Sequence, residues 1–252
     1  MKILLSKSGE IRILEDGNRI GRGKNAIDIS PGILIRSGDA VNISGREYIA
    51  LDYDPSFFRG IAERGAQIID GKDCAYMIWM SGIKHGSRVM ESGTGSGALT
   101  SSILSATLNP SGYIGIDHNE NSIRITKENI KRWNGYEINI IEGDFTTHEG
   151  NGSKYDAIFL DLPEPWLNVS KQRAFIESGK RVVTYLPTYD QVEKNVLEYE
   201  KNGFFHVETV EIIRREILVR KGATRPSSEG LMHTAFISTF IKKSGSKVDI
   251  SL

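Results

Sequence analysis

Residues 90–102 read MESGTGSGALTSS: three glycines within five positions, close behind an acidic residue, with β-formers before them and an apolar helical pattern after them. The run RVMES (88–92), then GTGSG, then GALTSSILSATL (97–108) is strand, tight turn and helix, the arrangement that brings a backbone close to a nucleotide-like ligand. A dinucleotide fingerprint needs G-x-G-x-x-G with room for a pyrophosphate at the helix N-terminus. This loop reads Gly93-x-Gly95-x-Gly97, one residue short. Glu91, two residues before the first glycine, would repel a pyrophosphate but can hold the ammonium end of a methionine moiety. Those two features point to S-adenosylmethionine. Taken alone, the loop reads equally well as a tight βα turn with no ligand.

Outward from the loop the pattern repeats. CAYMIWMSGI (74–83) reads as helix, YIGID (113–117) as strand, SIRITKENIKRW (122–133) as helix, and EINIIEG (137–143), YDAIFLDLP (155–163) and KRVVTYLP (180–187) as strands. This alternation predicts a parallel sheet covered on both faces. TYDQVEKNVLEYEKNG (188–203) has apolar residues near helical spacing and a glycine stop. FFHVETVEIIRREILVR (204–220) and HTAFISTFIKK (233–243) follow with no helical pattern between them, so an antiparallel pair is expected to close the sheet. Residues 1–58 instead carry short apolar runs separated by Gly, Asn, Asp and Ser, which predicts a small β-rich N-terminal domain before an α/β catalytic domain over 59–252. The polar tail SGSKVDISL (244–252) is expected to fray.

Acids recur where such a sheet binds its ligand. Asp117 ends the second strand 20 residues after Gly97, close to the roughly 20-residue spacing of a ribose-binding carboxylate. Gly143-Asp144 ends the third strand, where Asp144 can reach an adenine amino group. Each acid alone is as well explained as a cap or turn residue; three at the ends of successive strands are harder to explain that way. The fourth strand ends in DLPEPW (161–166). Pro163 and Pro165 stiffen that loop, which offers Asp161 and the flat face of Trp166 to a planar base. The plainer reading is that the prolines end a strand and the tryptophan fills core.

Composition limits the alternatives. The chain has 252 residues, 39% hydrophobic, with 32 basic and 32 acidic side chains, so attraction to nucleic acid must come from a local patch. Arg214, Arg215, Arg220, Lys221 and Arg225 form one such cluster, and Arg12, Arg19, Arg22, Lys24 and Arg36 lie in the N-terminal region. A charge run is equally often a solvated face. Cys74 is the single cysteine, which excludes an intrachain disulfide or a cysteine-based zinc site and fits a reducing, cytoplasmic setting. No stretch approaches the roughly 18 apolar residues of a membrane helix, so no membrane partner is expected. His233 lacks metal-ligand spacing to another histidine, and a packing or hydrogen-bonding role is expected.

Four stretches carry a family resemblance: GAQIIDGKDCAYMIWMSGI (65–83), VMESGTGSGALT (89–100), FLDLPEPW (159–166) and RREILVRKGATRPSSEGLMHTAF (214–236). Together they resemble the TrmI-type tRNA (adenine-N1)-methyltransferases. The glycine loop is shared widely, whereas D-L-P-x-P with the later R-P and H-T segment is far more specific. The resemblance implies a class I, Rossmann-like methyltransferase sheet of seven strands, a small N-terminal β domain and a homotetramer. It also implies methyl transfer from S-adenosylmethionine to N1 of the T-loop adenine at tRNA position 58, with 57 a further target in archaeal-type members. By matched motif, Gln67, Glu91, Gly93, Gly95, Ser96, Gly97, Ala98, Leu99, Asp117 and Asp144 would hold the cofactor. Asp161 would meet both cofactor and base, and Tyr185 would line the adenine pocket.

The chemistry expected of such a site is orientation more than proton abstraction, because adenine N1 already carries a lone pair. Three rival readings remain. A protein-carboxylate methyltransferase of the isoaspartate type shares the glycine loop but not DLPEPW. A non-catalytic tRNA-binding partner subunit should have lost the loop. A nicotinamide-dependent oxidoreductase is opposed by the loop spacing and by Glu91.

Overall fold

The computed structural model describes residues 1–15, 19–21, 26–30, 32–63, 65, 67–149, 152–167, 169–228 and 233–248. The chain divides into two compact units, Met1–Ala62 and Glu63–Leu252. Arg22, Lys24 and the last four residues of the polar tail lie outside the described residues.

The first unit is an antiparallel sheet of β1 (Lys2–Ser6), β2 (Ile11–Glu15), β3 (Arg19–Ile20), β4 (Ile27–Asp28), β5 (Ala40–Ile43) and β6 (Arg46–Leu51). The strands lie in the order β4-β3-β2-β1-β6-β5. Its core gathers Leu4, Leu14, Ile20, Ile43, Tyr48 and Ala50. The β5–β6 hairpin turns through Ser44 and Gly45, both at positive φ, the mirror-image geometry that matches strand twist. A boundary at residue 58 would cut the first residue of the short helix α1 (Phe58–Ile61), whose Phe58 is buried and which packs on β2. The compact division therefore falls after that helix. Basic side chains here are largely matched by acids: Arg12 and Arg46 share Glu10, and Arg19 faces Asp28.

The second unit begins with α2 (Gly71–Ser81), β7 (Val89–Ser92), α3 (Ala98–Thr107), β8 (Tyr113–Asp117), α4 (Glu120–Asn134) and β9 (Asn139–Glu142). It continues through β10 (Tyr155–Leu160), α5 (Val169–Phe175), β11 (Ile176–Leu186), α6 (Tyr189–Lys201), β12 (Phe204–Glu211), β13 (Ile217–Leu218), β14 (Arg225–Pro226) and β15 (Phe236–Lys242). Seven strands form one sheet in the order β12-β15-β11-β10-β7-β8-β9. β7 through β11 are parallel, and β15 runs antiparallel to both β11 and β12. Every residue of β7 and β8 is buried, as a two-sided sheet requires.

Local chemistry fixes the helix ends. Asp70, Asn119 and Thr188 cap α2, α4 and α6 through side-chain oxygens, and Gly82 and Gly135 end α2 and α4 in the left-handed conformation. One expectation needs correction. The stretch 204–220 is not one strand: its register on β15 ends at Glu211 opposite Phe236, and beyond that point β15 has no residue to pair with. Ile217–Leu218 instead joins Arg225–Pro226 in a separate two-stranded ladder. The seven-residue helix α5, which the sequence pattern does not announce, is too short to show a helical period.

Candidate active site

The order of β7, β8 and β10 puts a topological switch at the C-terminal end of β7, where open α/β sheets bind ligands. The glycine loop leaves the sheet at this point. Gly93, Gly95 and Gly97 have φ of 84°, 55° and 89°. Their N–H groups are all used inside the protein: Gly93 donates to the Ile116 carbonyl, Gly95 to Asp117 Oδ2 and Gly97 to the Thr94 carbonyl, at 2.9, 3.1 and 2.8 Å. These glycine amides therefore offer no nest for a pyrophosphate. The loop's carbonyls are held from α4, with Thr126 Oγ1 donating to Gly95 O and Asn129 Nδ2 to Ser96 O, both at 3.0 Å. Ser96 is buried, Ala98 is half-buried at the start of α3, and the Leu99 side chain is core.

Asp117 braces this loop. Its Oδ2 accepts from Gly95 N–H and the Thr94 hydroxyl, and its Oδ1 from Asn119 N–H at 2.9 Å, which leaves acceptor capacity on Oδ1. The next strand end is tied to it, since Gly143 N–H donates to the Asp117 carbonyl. Asp144 is exposed; the Thr146 N–H on its Oδ1 holds its carboxyl below the usual carboxylate range.

Glu91 is 1% exposed. Its Oε2 accepts from Tyr113 at 2.6 Å and Thr100 at 2.8 Å, while Oε1 is buried with no partner. Burial pushes its carboxyl up to about 8 despite those two hydrogen bonds, with the charges of Asp161 and Asp117 adding to the rise. Asp161 is raised to about 7, again by burial first and by Asp117 second. Its carboxylate makes no hydrogen bond among the described residues. Glu91, Asp117 and Asp161 thus form one desolvated acidic cluster, and no basic side chain offsets the rise at Glu91 or Asp161. Such a cluster favours a cation.

The DLPEPW loop is clamped from behind. Gln172 Nε2 donates to Pro165 O at 2.6 Å and Gln191 Nε2 to Pro163 O at 2.9 Å. Tyr199 in turn donates to Gln172. Trp166 is half-buried, with Lys194 Nζ 5.9 Å from its ring centre.

Gln67 is exposed ahead of α2 and makes no hydrogen bond among the described residues. Residues on either side of it are tied down. Asn129 accepts from Glu63 N–H and donates to Glu63 O, and Gly65 N–H reaches Ser96 Oγ. On the other side Tyr185 donates to Asp73 Oδ2 at 3.0 Å. Lys72 Nζ donates to Asp73 Oδ1 and to Thr234 Oγ1, each at 2.7 Å. His233 bridges Glu211 and the Pro187 carbonyl, which raises its imidazole above the ordinary value. Sequence reasoning missed Thr126, Asn129, Lys72, Asp73 and Thr234. For the first two a signal existed: both are polar residues among the isoleucines and tryptophan of the buried face of α4.

The strand order, the switch-point loop and the acids at successive strand ends define a class I methyltransferase. A SAM-dependent O-methyltransferase from Thermotoga maritima superposes with a TM-score of 0.83 over 98% of this chain and 94% of its own, at 22% identity, a likeness of fold. The tRNA (m1A58) methyltransferase TrmI of Aquifex aeolicus superposes with a TM-score of 0.79 over 96% of both chains, at 27% identity. The tRNA (adenine(57)-N(1)/adenine(58)-N(1))-methyltransferase TrmI of Methanocaldococcus jannaschii is 32% identical over 66% of this chain and 68% of its own. Residues 51–240 match the model of the tRNA methyltransferase complex GCD14 subunit, and the chain belongs to that family. No helix among the described residues is long and apolar enough to cross a membrane.

Proposed function

We propose that this protein transfers the methyl group of S-adenosylmethionine to N1 of an adenine in the tRNA T-loop, at position 58 and, as in the archaeal relative, 57. The observation that carries the reading is the acidic cluster of Glu91, Asp117 and Asp161 beneath a glycine loop whose glycine N–H groups are already used. It suits a ligand bearing positive charge and opposes a dinucleotide. The buried, unpartnered Oε1 of Glu91 fits the methionine ammonium, the free capacity of Asp117 Oδ1 a ribose hydroxyl, and exposed Asp144 the adenine amino group. Gly93, Gly95, Ser96, Gly97, Ala98 and Leu99 supply the wall of that site, and Gln67 covers it.

When bound, S-adenosylmethionine supplies an electrophilic methyl on a cationic sulfur. Asp161 receives a hydrogen bond from the amino group of the target base and stabilises the positive charge that the ring gains as N1 is methylated. Tyr185 borders the base. The T-loop adenine must leave its stack to present N1. The exposed cluster of Arg214, Arg215, Arg220, Lys221 and Arg225 on and beside the β13–β14 ladder provides phosphate contacts. Homotetrameric assembly belongs to the same proposal and is tested by light scattering. The deciding experiment incubates the protein with methyl-labelled S-adenosylmethionine and an unmodified tRNA transcript, then digests and locates the label. N1-methyladenosine in the T-loop is expected. Transfer to protein carboxylates instead, or none at all, overturns the proposal.

A further inference from the structure

Lys72, Asp73, Tyr185 and Thr234 form a chain of polar groups at the ligand edge of the sheet. Lys72 Nζ donates to both Asp73 Oδ1 and Thr234 Oγ1, and Tyr185 donates to Asp73 Oδ2. The Thr234 hydroxyl is near enough to act on Tyr185 as a donor would, favouring the ionised phenol. Asp73 is 0% and Lys72 9% exposed, an ion pair removed from water, whereas Tyr185 is only half-buried and lies close enough to Asp161 to feel its charge. A buried pair of this kind adds little stability over apolar residues of equal size. What it does provide is direction: with its proton committed to Asp73, the Tyr185 oxygen presents lone pairs, not a hydrogen, to its surroundings. A phenol polarised by a carboxylate is also a stronger acceptor.

Resting on the function proposed above, we infer that Lys72, Asp73 and Thr234 are positioning residues that make Tyr185 an acceptor-only wall for the exocyclic amino group of the target adenine. Asp161 accepts one amino hydrogen and Tyr185 the other, so a base without that group leaves a desolvated acceptor unpaired.

The test compares tRNA transcripts carrying adenosine or purine riboside, which lacks the amino group, at the target position. The intrinsic reactivity of purine cancels when the ratio of the two rates is compared between enzymes. Y185F and the charge-neutral double variant K72M/D73L are each expected to lose about ten-fold of the wild-type preference for adenosine. Combining them should lose no more, because they act through one hydroxyl. S-adenosylmethionine affinity by calorimetry should stay unchanged, and T234S should behave as wild type while T234V does not. An unchanged ratio in K72M/D73L, or effects that multiply in the combination, overturns the inference and leaves the proposed reaction standing. Wild type inactive on both transcripts overturns both.

Discussion

Gly93 lies directly against Asp161: a Cβ on Gly93 would stand 2.1 Å from the Asp161 carbonyl oxygen. The glycine loop and the loop after the fourth parallel strand are therefore one packed body, and the Asp161 N–H on the Ser92 carbonyl at 3.0 Å ties them again. Gly93 also has a φ of 84°, which side-chain-bearing residues avoid. Gly93→Ala should lower the melting temperature by several degrees and reduce both cofactor binding and turnover, since one substitution moves both walls. Thermal denaturation with a cofactor titration checks this; intact turnover would mean the loops move independently.

Glu91 predicts an unusual pH dependence of stability. Its carboxyl stands near 8 in the fold against an ordinary 4.5, so between those values the native state holds a proton that the unfolded chain has released. Its contribution is full below about 4.5 and is lost as pH rises through about 8. The slope from this one group is at most about 1.4 kcal/mol per pH unit. Urea unfolding of the cofactor-free protein from pH 5 to 9 should show this decline, flattened in Glu91→Gln. The same variant should bind S-adenosylmethionine about ten-fold more weakly, because a charged hydrogen-bond partner is removed.

Asp161 must be ionised to accept from the amino group and to stabilise a cationic ring. With its carboxyl near 7 in the free protein, kcat/KM should climb as pH rises through that value. Asp161→Asn should lower kcat about a hundredfold and abolish the climb, and should weaken cofactor binding less than Glu91→Gln does. A pH profile of the variant that keeps the wild-type limb would assign the titration elsewhere.

The basic ladder gives a salt signature. Neutralising Arg220, Lys221 and Arg225 together should weaken tRNA binding and reduce the slope of log affinity against log salt by about 0.7–0.9 for each tRNA phosphate that is no longer neutralised. Filter binding across a salt series measures it, and an unchanged slope would assign the cluster to a solvated face.

Legibility in the sequence followed the range of the interactions. Gly93, Gly95, Gly97 and Asp117 could be placed because a strand, a turn and a helix are written within thirty residues of one another. The caps at Asp70, Asn119 and Thr188 are local as well. Lys72 and Thr234 are 162 residues apart, and nothing near either one announces the other. Asp117 reads in sequence as a ligand acid, but its first task in the fold, holding Gly95 and Thr94, needed coordinates to appear. The break after Glu211 depended on where a partner strand ends, which the local run of β-formers does not encode.

The place of β15 governs how the molecule is built. β11 and β12 are consecutive strands of the sheet in the chain but not neighbours in space, and the slot between them is filled only by β15. Without Phe236–Lys242, β11 would lack a strand partner on that edge and β12 would lack its only partner in the sheet. Thr234, just ahead of that strand, brings the last member of the polar chain to Lys72. Closure of the sheet and completion of this wall of the pocket thus depend on one C-terminal segment, and the glycine loop alone does not make a finished site.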